Sequence, residues 1–321
     1  MKTTVRTSPS FVSHSFTVTA LTCAASVHLV HAADFEIRDA VEFDKIVAPN
    51  AKLERLATDM RFTEGPVWLA ADGGYLVFSD IPADELKKWS PKEGLSTFRK
   101  PSRNANGNTV DPQGRLITCE HSGRRVSILE KDGSLRTLAD QGDGKRFNSP
   151  NDAVVKSDGT IWFTDPPYGL PRDAVKEQDG NYVFRFDPKT QKAARVADGF
   201  DMPNGLCFSP DEKMLYVADS GKPRHLRVFD VQPDGTLKDG KVFCEIDRGV
   251  PDGIRCDAQG RIYSSAGDGV HIFGPDGKLI GKILVPESAA NLCFGGADGK
   301  TLFITARTSL YAIPLRVEGA K

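Results

Sequence analysis

The sequence predicts an all-β protein with the fold of a six-bladed β-propeller. Three observations support this fold class. Six segments share one pattern of a polar residue, an apolar strand, a turn and a second strand; the segments follow one another at similar steps; and no extended stretch with a period of 3.6 residues competes with them. The 30 Gly and 20 Pro of the 321 residues also suit short strands and turns better than long helices.

Each repeat begins with a residue at the head of an apolar stretch that we expect to be the innermost strand of a blade. The six first positions are Glu64, Asn106, Asn151, Asn204, Asp252 and Ala290. The steps between them are 42, 45, 53, 48 and 38 residues. Propeller blades have about 40–50 residues, so six such units are expected to close into one ring.

A second apolar strand runs back after each turn. These strands are expected at 75–78, 116–119, 161–164, 215–218, 262–265 and 302–305. Third strands are expected at 126–129, 182–186, 226–229 and 270–273, and a fourth at 135–138. The alternative, two β-sandwiches, needs a linker near the middle of the chain, whereas the Pro and Gly clusters recur at the repeat period. We therefore predict that residues 33–321 form a single six-bladed β-propeller domain.

The first 32 residues have the features of a secretory signal peptide. Lys2 and Arg6 precede an apolar stretch at 16–30, and Val30-His31-Ala32 is a small-residue cleavage pattern. The stretch is too short and too polar for a transmembrane helix. The alternatives are a lipoprotein signal at Cys23, for which Leu21-Thr22 is a poor approach, and a disordered extension. We predict that the protein is periplasmic or secreted.

The charge balance narrows the class of partner. Lys and Arg number 42 and Asp and Glu 43, so the formal net charge is -1. Nucleic acids and anionic membranes select basic surfaces, so neither is expected as a partner. Residues 33–321 retain an odd number of cysteines, and no two of them form a CxxC pair, so neither a disulfide framework nor a zinc-thiolate site is predicted. A small molecule is the expected partner.

The first residues of the repeats are expected to meet at one mouth of the central channel. Five of the six carry side-chain oxygens, although Asn, Asp and Glu are depleted in strands. Carboxylate and amide oxygens suit calcium first, and magnesium or manganese next. The alternative is that Asn-Gly and Asp-Gly simply begin turns, but Glu64-Gly65-Pro66 is not a turn sequence. The pattern therefore predicts a metal site at this mouth.

The second strands are antiparallel to the first, so their ends return to the same mouth. This geometry predicts a further shell of acids, hydroxyls and one histidine around the ring. His121 is a candidate proton-transfer group or substrate contact, with an ordinary surface histidine as the alternative. Tyr168 lies in a rigid Pro-rich turn and could form a pocket wall. Arg146 could supply a cation, and the polar insertion at 170–180 could cap the entrance.

Several of these strings resemble the SMP-30/gluconolactonase/luciferin-regenerating-enzyme-like (LRE-like) family, and most closely its bacterial gluconolactonase branch. The resemblance covers about residues 50–315 and is carried by segments 64–68, 119–121, 146–152, 163–169, 204–206 and 251–253. It implies a six-bladed propeller with one divalent ion at the channel mouth. Its implied ligands are Glu64, Asn204 and Asp252, with Asn151 as a further ligand or a substrate contact. It also implies Asp252 as the general base or nucleophile.

The function expected from this resemblance is metal-dependent hydrolysis of a sugar lactone. Calcium is the ion expected first, with magnesium, manganese or zinc as alternatives. Asn106, His121, Arg146, Asn151 and Tyr168 are the expected substrate contacts. Hydrolysis of another ester or of a phosphotriester is one alternative function, and a non-catalytic binding module is another, because one fold supports many activities.

Overall fold

The computed structural model describes residues 1–2 and 34–320; the predicted signal peptide, apart from its first two residues, lies outside the described residues. The described chain starts with three short elements, β1 (Phe35–Ile37), α1 (Ala40–Ile46) and β2 (Glu54–Ala57). Asp39 caps α1, because its carboxylate accepts a hydrogen bond from the backbone N–H of Glu42 at 3.1 Å. Phe43 and Ile46 are the buried residues of this helix and anchor it to the core.

Six antiparallel sheets follow in chain order. Blade 1 consists of β3 (Thr63–Leu69), β4 (Tyr75–Asp80), β5 (Glu85–Ser90) and β6 (Gly94–Arg99), and blade 2 of β7 (Ala105–Val110), β8 (Leu116–Glu120), β9 (Arg125–Leu129) and β10 (Leu135–Ala139). A small hairpin comes next, with β11 (Gln141–Gly142) and β12 (Lys145–Arg146). Blade 3 consists of β13 (Ala153–Val155), β14 (Ile161–Asp165), β15 (Tyr182–Asp187) and β16 (Lys192–Ala197).

The second half of the ring has the same organisation. Blade 4 consists of β17 (Pro203–Phe208), β18 (Met214–Asp219), β19 (His225–Val231) and β20 (Leu237–Glu245). Blade 5 consists of β21 (Ile254–Cys256), β22 (Ile262–Ala266), β23 (Gly269–Phe273) and β24 (Leu279–Leu284), and blade 6 contains β25 (Ala289–Gly295), β26 (Thr301–Ala306) and β27 (Ser309–Pro314). The six-bladed β-propeller predicted from the repeats is confirmed, with each predicted second strand in place.

The N-terminal strands complete the last two blades. β2 pairs with β27 as the outer strand of blade 6, and β1 pairs with β24 as a fifth strand of blade 5. The innermost strands β3, β7, β13, β17, β21 and β25 contact one another in this order, and β25 contacts β3. The ring therefore closes through blade 6, whose strands come from both ends of the described chain.

The core lies between neighbouring sheets. Large buried side chains such as Trp162, Phe163, Phe184 and Tyr263 pack blade against blade. Burial of this apolar surface is the main force that holds the ring together, at roughly 25 cal/mol per Å². The channel is therefore surrounded by a rigid wall, on which side chains at the strand starts are held in place.

The start of the innermost strand is irregular in four of the blades. The pairing register shifts between Glu64 and Val67 in blade 1, between Ala105 and Asn108 in blade 2, and at corresponding positions of blades 4 and 6. In blades 3 and 5 the regular strand begins only after the residue pairs Asn151-Asp152 and Asp252-Gly253. These bulges turn polar side chains into the channel mouth, as β-bulges near functional sites often do.

Candidate functional site

A cavity of about 490 Å³ opens at one mouth of the channel. Its polar lining residues are Glu64, Asn106, His121, Asn151, Tyr168, Asn204, Ser220 and Asp252. Its apolar lining residues are Phe62, Ile81 and Val250. The five oxygen-bearing repeat starts, which are far apart in the sequence, thus line one cavity.

Two carboxyl groups, those of Glu64 and Asp252, line this cavity and interact with each other. Glu64 is 3% exposed, and its Oε2 accepts hydrogen bonds from Gly65 N at 2.7 Å and Asn291 Nδ2 at 2.9 Å. Burial, followed by repulsion from Asp152, raises the pKa of Glu64 to about 7. Burial, followed by repulsion from Glu64 and Asp152, raises the pKa of Asp252 well above its usual range. The site therefore concentrates negative charge in a poorly solvated space.

A directed chain of amides follows the rim between these acids. Asn106 Nδ2 donates to Asn151 Oδ1 at 2.5 Å, and Asn151 Nδ2 donates to Asn204 Oδ1 at 2.6 Å. Asn204 Nδ2 then donates to Ser220 Oγ at 2.9 Å, and Ser220 Oγ donates to the Pro251 carbonyl. Each amide nitrogen in this chain donates to the next residue, so the direction of the three amides is set and their oxygens retain lone pairs for a ligand.

His121 is held by the same amides. Its Nε2 lies 3.1 Å from Asn106 Nδ2 and 3.2 Å from Asn151 Oδ1. Burial lowers the pKa of His121 to about 4, so the imidazole is neutral at pH 7. Asn106 has a second amide hydrogen to donate, so the arrangement is satisfied when Nε2 accepts. His121 therefore orients Asn106 and is a poor proton donor at neutral pH.

The structure brings Tyr168 to the cavity but not Arg146. Tyr168 is 44% exposed at the rim, and burial of its hydroxyl, followed by the charge of Asp252, raises the pKa of Tyr168 to about 12. Arg146 is an exposed residue of β12 outside the cavity lining, and its backbone N–H donates to Glu177 at 2.8 Å. No lysine or arginine lines the cavity among the described residues, so the expected cation at this mouth is not supplied by Arg146.

Most acids at the ends of the second strands bind backbone groups of nearby loops and do not line the cavity. The carboxylate of Asp80 accepts from Arg61 N and Phe62 N, that of Asp165 from Asn148 N, and that of Asp219 from Asp201 N and Met202 N. Backbone N–H groups of the loops that lead into the innermost strand of the same blade are thereby satisfied. These three acids anchor the loops that carry the ring, and none of them lines the cavity itself.

Sequence reasoning missed two buried polar residues directly below the ring. One is Asn291 of blade 6, which follows the predicted repeat start Ala290 in the irregular part of β25 between Ala289 and Asn291. Asp152 lies beside it, and both side chains are 1% exposed. Phe62 and Val250 were also missed. Each lies two residues before a carboxylate of the ring, Glu64 or Asp252. This shared spacing in the aligned repeats is the signal that could have predicted them.

The donors at the mouth fit a hard divalent cation. Glu64, Asp252, Asn151 and Asn204 offer only oxygens, which is the ligand chemistry of calcium, magnesium or manganese. Asn106 Oδ1 is buried with no hydrogen-bond partner among the described residues, so this acceptor also suits a cation or a hydroxyl donor. Burial is the main cause of both raised pKa values and repulsion between carboxylates the second, and a cation between Glu64 and Asp252 would offset both effects.

A second acidic cluster lies elsewhere, in blade 5 and the loop before it. Asp247, Asp268 and His271 approach one another closely enough to hold an ion. However, Lys282 Nζ lies among them, 2.8 Å from Asp247 and 3.3 Å from Asp268. The buried ammonium already balances these carboxylates, so this cluster is explained as a salt-bridge network. In the part of the chain that the structure describes, no helix has the length and apolar character needed to cross a membrane.

Comparison with known proteins agrees with this geometry. Residues 62–308 match the family model described as the SMP-30/gluconolactonase/LRE-like region. A gluconolactonase from Zymomonas mobilis subsp. mobilis is 34% identical over 304 residues, which cover 86% of this chain and 85% of that protein. A 6-deoxy-6-sulfogluconolactonase from Pseudomonas putida is 30% identical over 76% of this chain and 82% of that protein. The structure of a gluconolactonase from Xanthomonas campestris matches with a TM-score of 0.85 at 35% identity, covering 92% of this chain and 99% of that chain.

Proposed function

The chain belongs to the SMP-30/gluconolactonase/LRE-like family, and from that premise we propose that it is a metal-dependent lactonase that hydrolyses a sugar lactone such as glucono-1,5-lactone. The observation that carries the proposal is the convergence of Glu64 and Asp252 with amide oxygens on one cavity of about 490 Å³. The similarity to gluconolactonases from two bacteria supports the same reaction class.

Glu64, Asn204 and Asp252, with Asn151, are the residues that would hold the ion. The ion, with calcium expected first, would supply Lewis acidity for the lactone carbonyl. Asp252 is only half-buried, unlike Glu64, so its carboxylate can reach a water molecule in the cavity. We assign to Asp252 the removal of a proton from the attacking water, with direct attack on the carbonyl carbon as the alternative.

The remaining polar lining would orient the sugar. Asn106 Oδ1 has no partner among the described residues and can accept from a sugar hydroxyl. Ser220 and the Tyr168 hydroxyl lie at the rim, where ring substituents would pass. The apolar side formed by Phe62, Ile81 and Val250 would exclude water from one face of the lactone. The donors and acceptors in this cavity thus fit a neutral polyol ring.

Replacement of Asp252 by Asn tests the assignment. The variant keeps the size of the side chain but removes the carboxylate, so we expect kcat on glucono-1,5-lactone to fall by about 10²–10⁴-fold. The purified protein is assayed on a panel of lactones, carboxylic esters and a phosphotriester, before and after chelation and with calcium, magnesium, manganese or zinc restored. Full activity of a folded Asp252→Asn protein, or of the chelated wild type, would contradict the proposal. Turnover of the esters alone would move the function to another hydrolase class.

We also propose that the protein is exported to the periplasm or beyond. The support is the N-terminal signal sequence pattern, whose cleavage point after Ala32 lies just before β1. An exported lactonase would meet lactones formed outside the cytoplasm.

A further inference from the structure

The six residues that follow the repeat starts form a second layer in the channel. Four of them are glycines, and the other two are Asp152 and Asn291. A Cβ at Gly107 would lie 2.4 Å from Asp152 Oδ1, and a Cβ at Gly253 would lie 2.1 Å from Asn291 Oδ1. The glycines therefore leave the space that these two polar side chains fill. This layer has no place in the proposed chemistry, yet it is fully buried.

Asn291 connects this layer to the ring. Its Nδ2 donates to Glu64 Oε2 at 2.9 Å and to Asp152 Oδ2 at 3.2 Å. Its Oδ1 accepts from Leu292 N at 2.8 Å, so the orientation of the amide is determined. Because Glu64 Oε2 is occupied by Asn291 and Gly65, Glu64 presents its other oxygen to the cavity.

Arg255 enters the channel from the opposite mouth. Its Nη1 lies 3.6 Å from Asp152 Oδ2 and donates to the Ile254 carbonyl at 2.7 Å. The same side chain lines a cavity of about 200 Å³ at that far mouth. Asp152 is thus held between Asn291 and Arg255. Among the described residues, no hydrogen bond joins its side chain to a residue proposed to contact substrate. Its links to the ring are Asn291 and its chain neighbour Asn151.

The charges along this line balance a divalent ion. In their ionised forms Glu64, Asp252 and Asp152 contribute three negative charges and Arg255 one positive charge, which leaves two negative charges among the described side chains that meet here. We propose that Asp152, Asn291 and Arg255 are positioning residues for the ion at the mouth: Asn291 fixes the Glu64 carboxylate, and the Asp152–Arg255 pair sets the channel charge that a divalent cation neutralises. The inference rests on the proposed metal site.

This proposal predicts opposite effects for the two halves of one ion pair. Loss of the Asp152 charge leaves Arg255 to repel the ion, so binding weakens. Loss of the Arg255 charge removes that repulsion, so binding stays as tight or becomes tighter. If the pair had only a structural role, the loss of either charge would loosen the ring. Both changes would then weaken binding of the ion.

The experiment measures the dissociation constant of calcium by titration calorimetry, and of manganese by electron paramagnetic resonance, on purified residues 33–321 at pH 8. We expect Asp152→Asn and Asn291→Leu to weaken both constants by about 10–100-fold, the usual effect of changing a residue that supports a metal ligand. Arg255→Gln is expected to bind at least as tightly as the wild type, and Arg255→Lys to bind as the wild type does. At saturating ion, Asp152→Asn should recover most of its kcat.

Asp257→Asn is the matched control. Asp257 is also fully buried and paired with an arginine, Arg261, at 3.1 Å, but it is absent from the lining of both channel cavities. This variant should lower the melting temperature without changing either dissociation constant. If it weakens ion binding as much as Asp152→Asn does, the effect is general destabilisation and the proposal is wrong.

The outcomes separate this proposal from the function on which it rests. A wild type that binds neither ion contradicts the metal site itself. A wild type that binds, together with an Asp152→Asn protein that binds equally well, overturns the positioning network alone. If Asp152→Asn does not fold, the Arg255 variants decide: weaker binding by Arg255→Gln overturns the proposal, and binding as tight as in the wild type or tighter supports it.

Discussion

His121 illustrates how burial changes the use of a single residue. A histidine in water has a pKa near 6.5, but burial lowers the pKa of His121 to about 4. The unfolded chain therefore binds a proton between pH 6.5 and 4 that the folded protein does not bind. Stability supplied by the neutral imidazole is lost as the pH falls through this window, by up to about 3 kcal/mol.

Replacement of His121 by Gln should remove this acid sensitivity. Gln can still accept a hydrogen bond from Asn106 but does not titrate, so the variant should lose less free energy of unfolding than the wild type between pH 6.5 and 4.5. Urea unfolding at several pH values measures the difference. Parallel pH curves for the two proteins would show that folding does not lower the pKa of His121.

The pKa of Asp165 is shifted in the opposite direction to that of His121. Burial raises the pKa of its carboxyl to about 7, and its Oδ1, like Asn148 Oδ1, has no hydrogen-bond partner among the described residues. The folded protein holds a proton that the unfolded chain releases near pH 4. The stability that this proton supports is present at low pH and is lost as the pH rises toward and through 7.

Asp165→Asn should therefore become more stable than the wild type as the pH rises from 5 to 8, by about 1–3 kcal/mol. The amide keeps an acceptor for Asn148 N and does not ionise. Thermal unfolding at pH 5 and pH 8 measures the change. Asp219→Asn is the comparison, because both oxygens of Asp219 accept backbone N–H groups, and we expect that variant to be destabilised. A uniform loss of stability in both variants would refute the assignment for Asp165.

At the scale of strands, the repeats predicted the six innermost strands and the residues that head five of them. The polar residue, the apolar stretch and the turn are local signals, so they can be recognised in the sequence without knowledge of the fold. The contacts of Asn291 with Glu64 and Asp152 could not be predicted in this way. A one-residue change of register exchanges the two faces of a strand, and the shift in β25 is visible only in its pairing with β26.

The outer strands of blades 5 and 6 show a second limit of what the sequence can predict. β2 belongs to blade 6 and β1 to blade 5, but neither follows the repeat pattern. Arg146 is a related case. It precedes Asn151 by only five residues, but the chain turns through the β11–β12 hairpin before it reaches the ring, so closeness in sequence did not place Arg146 in the cavity.

The bulge that carries Glu64 depends on Gly65. Gly65 has φ +49°, and a Cβ on it would lie 2.0 Å from the Asn106 carbonyl oxygen of the next blade. Gly65→Ala should therefore cost about 3 kcal/mol or more and should displace Glu64, with loss of lactonase activity. Gly114 has φ +74° with open space around it, so Gly114→Ala should cost only about 1–2 kcal/mol of backbone strain and leave activity unchanged. Equal melting temperatures and activities for the two variants would contradict this account.

At the scale of the whole molecule, both ends of the segment 34–320 are hydrogen-bonded to blade 5. The Asp34 carbonyl accepts a hydrogen bond from Leu284 N at 2.8 Å, directly before β1 begins. At the other end, Ala320 N donates to the Cys256 carbonyl at 2.9 Å, and Ala320 lines the far mouth of the channel. A cut after Ala32 would leave these contacts intact, whereas removal of β2 would leave β27 as an unpaired edge.

Export would carry this closed ring into an oxidising compartment, and its cysteines should survive there as thiols. Cys119, Cys207, Cys244, Cys256 and Cys293 are all free and buried in blades 2, 4, 5 and 6, and burial raises the pKa of each thiol above its usual value. We expect the periplasmic or secreted fraction to contain a chain that begins at Ala33 and carries five free thiols. Intact mass after alkylation in denaturant should show five additions, and alkylation of the folded protein should show none. A full-length chain confined to the cytoplasm would contradict export, and fewer than five additions would show that these thiols reach one another or the solvent.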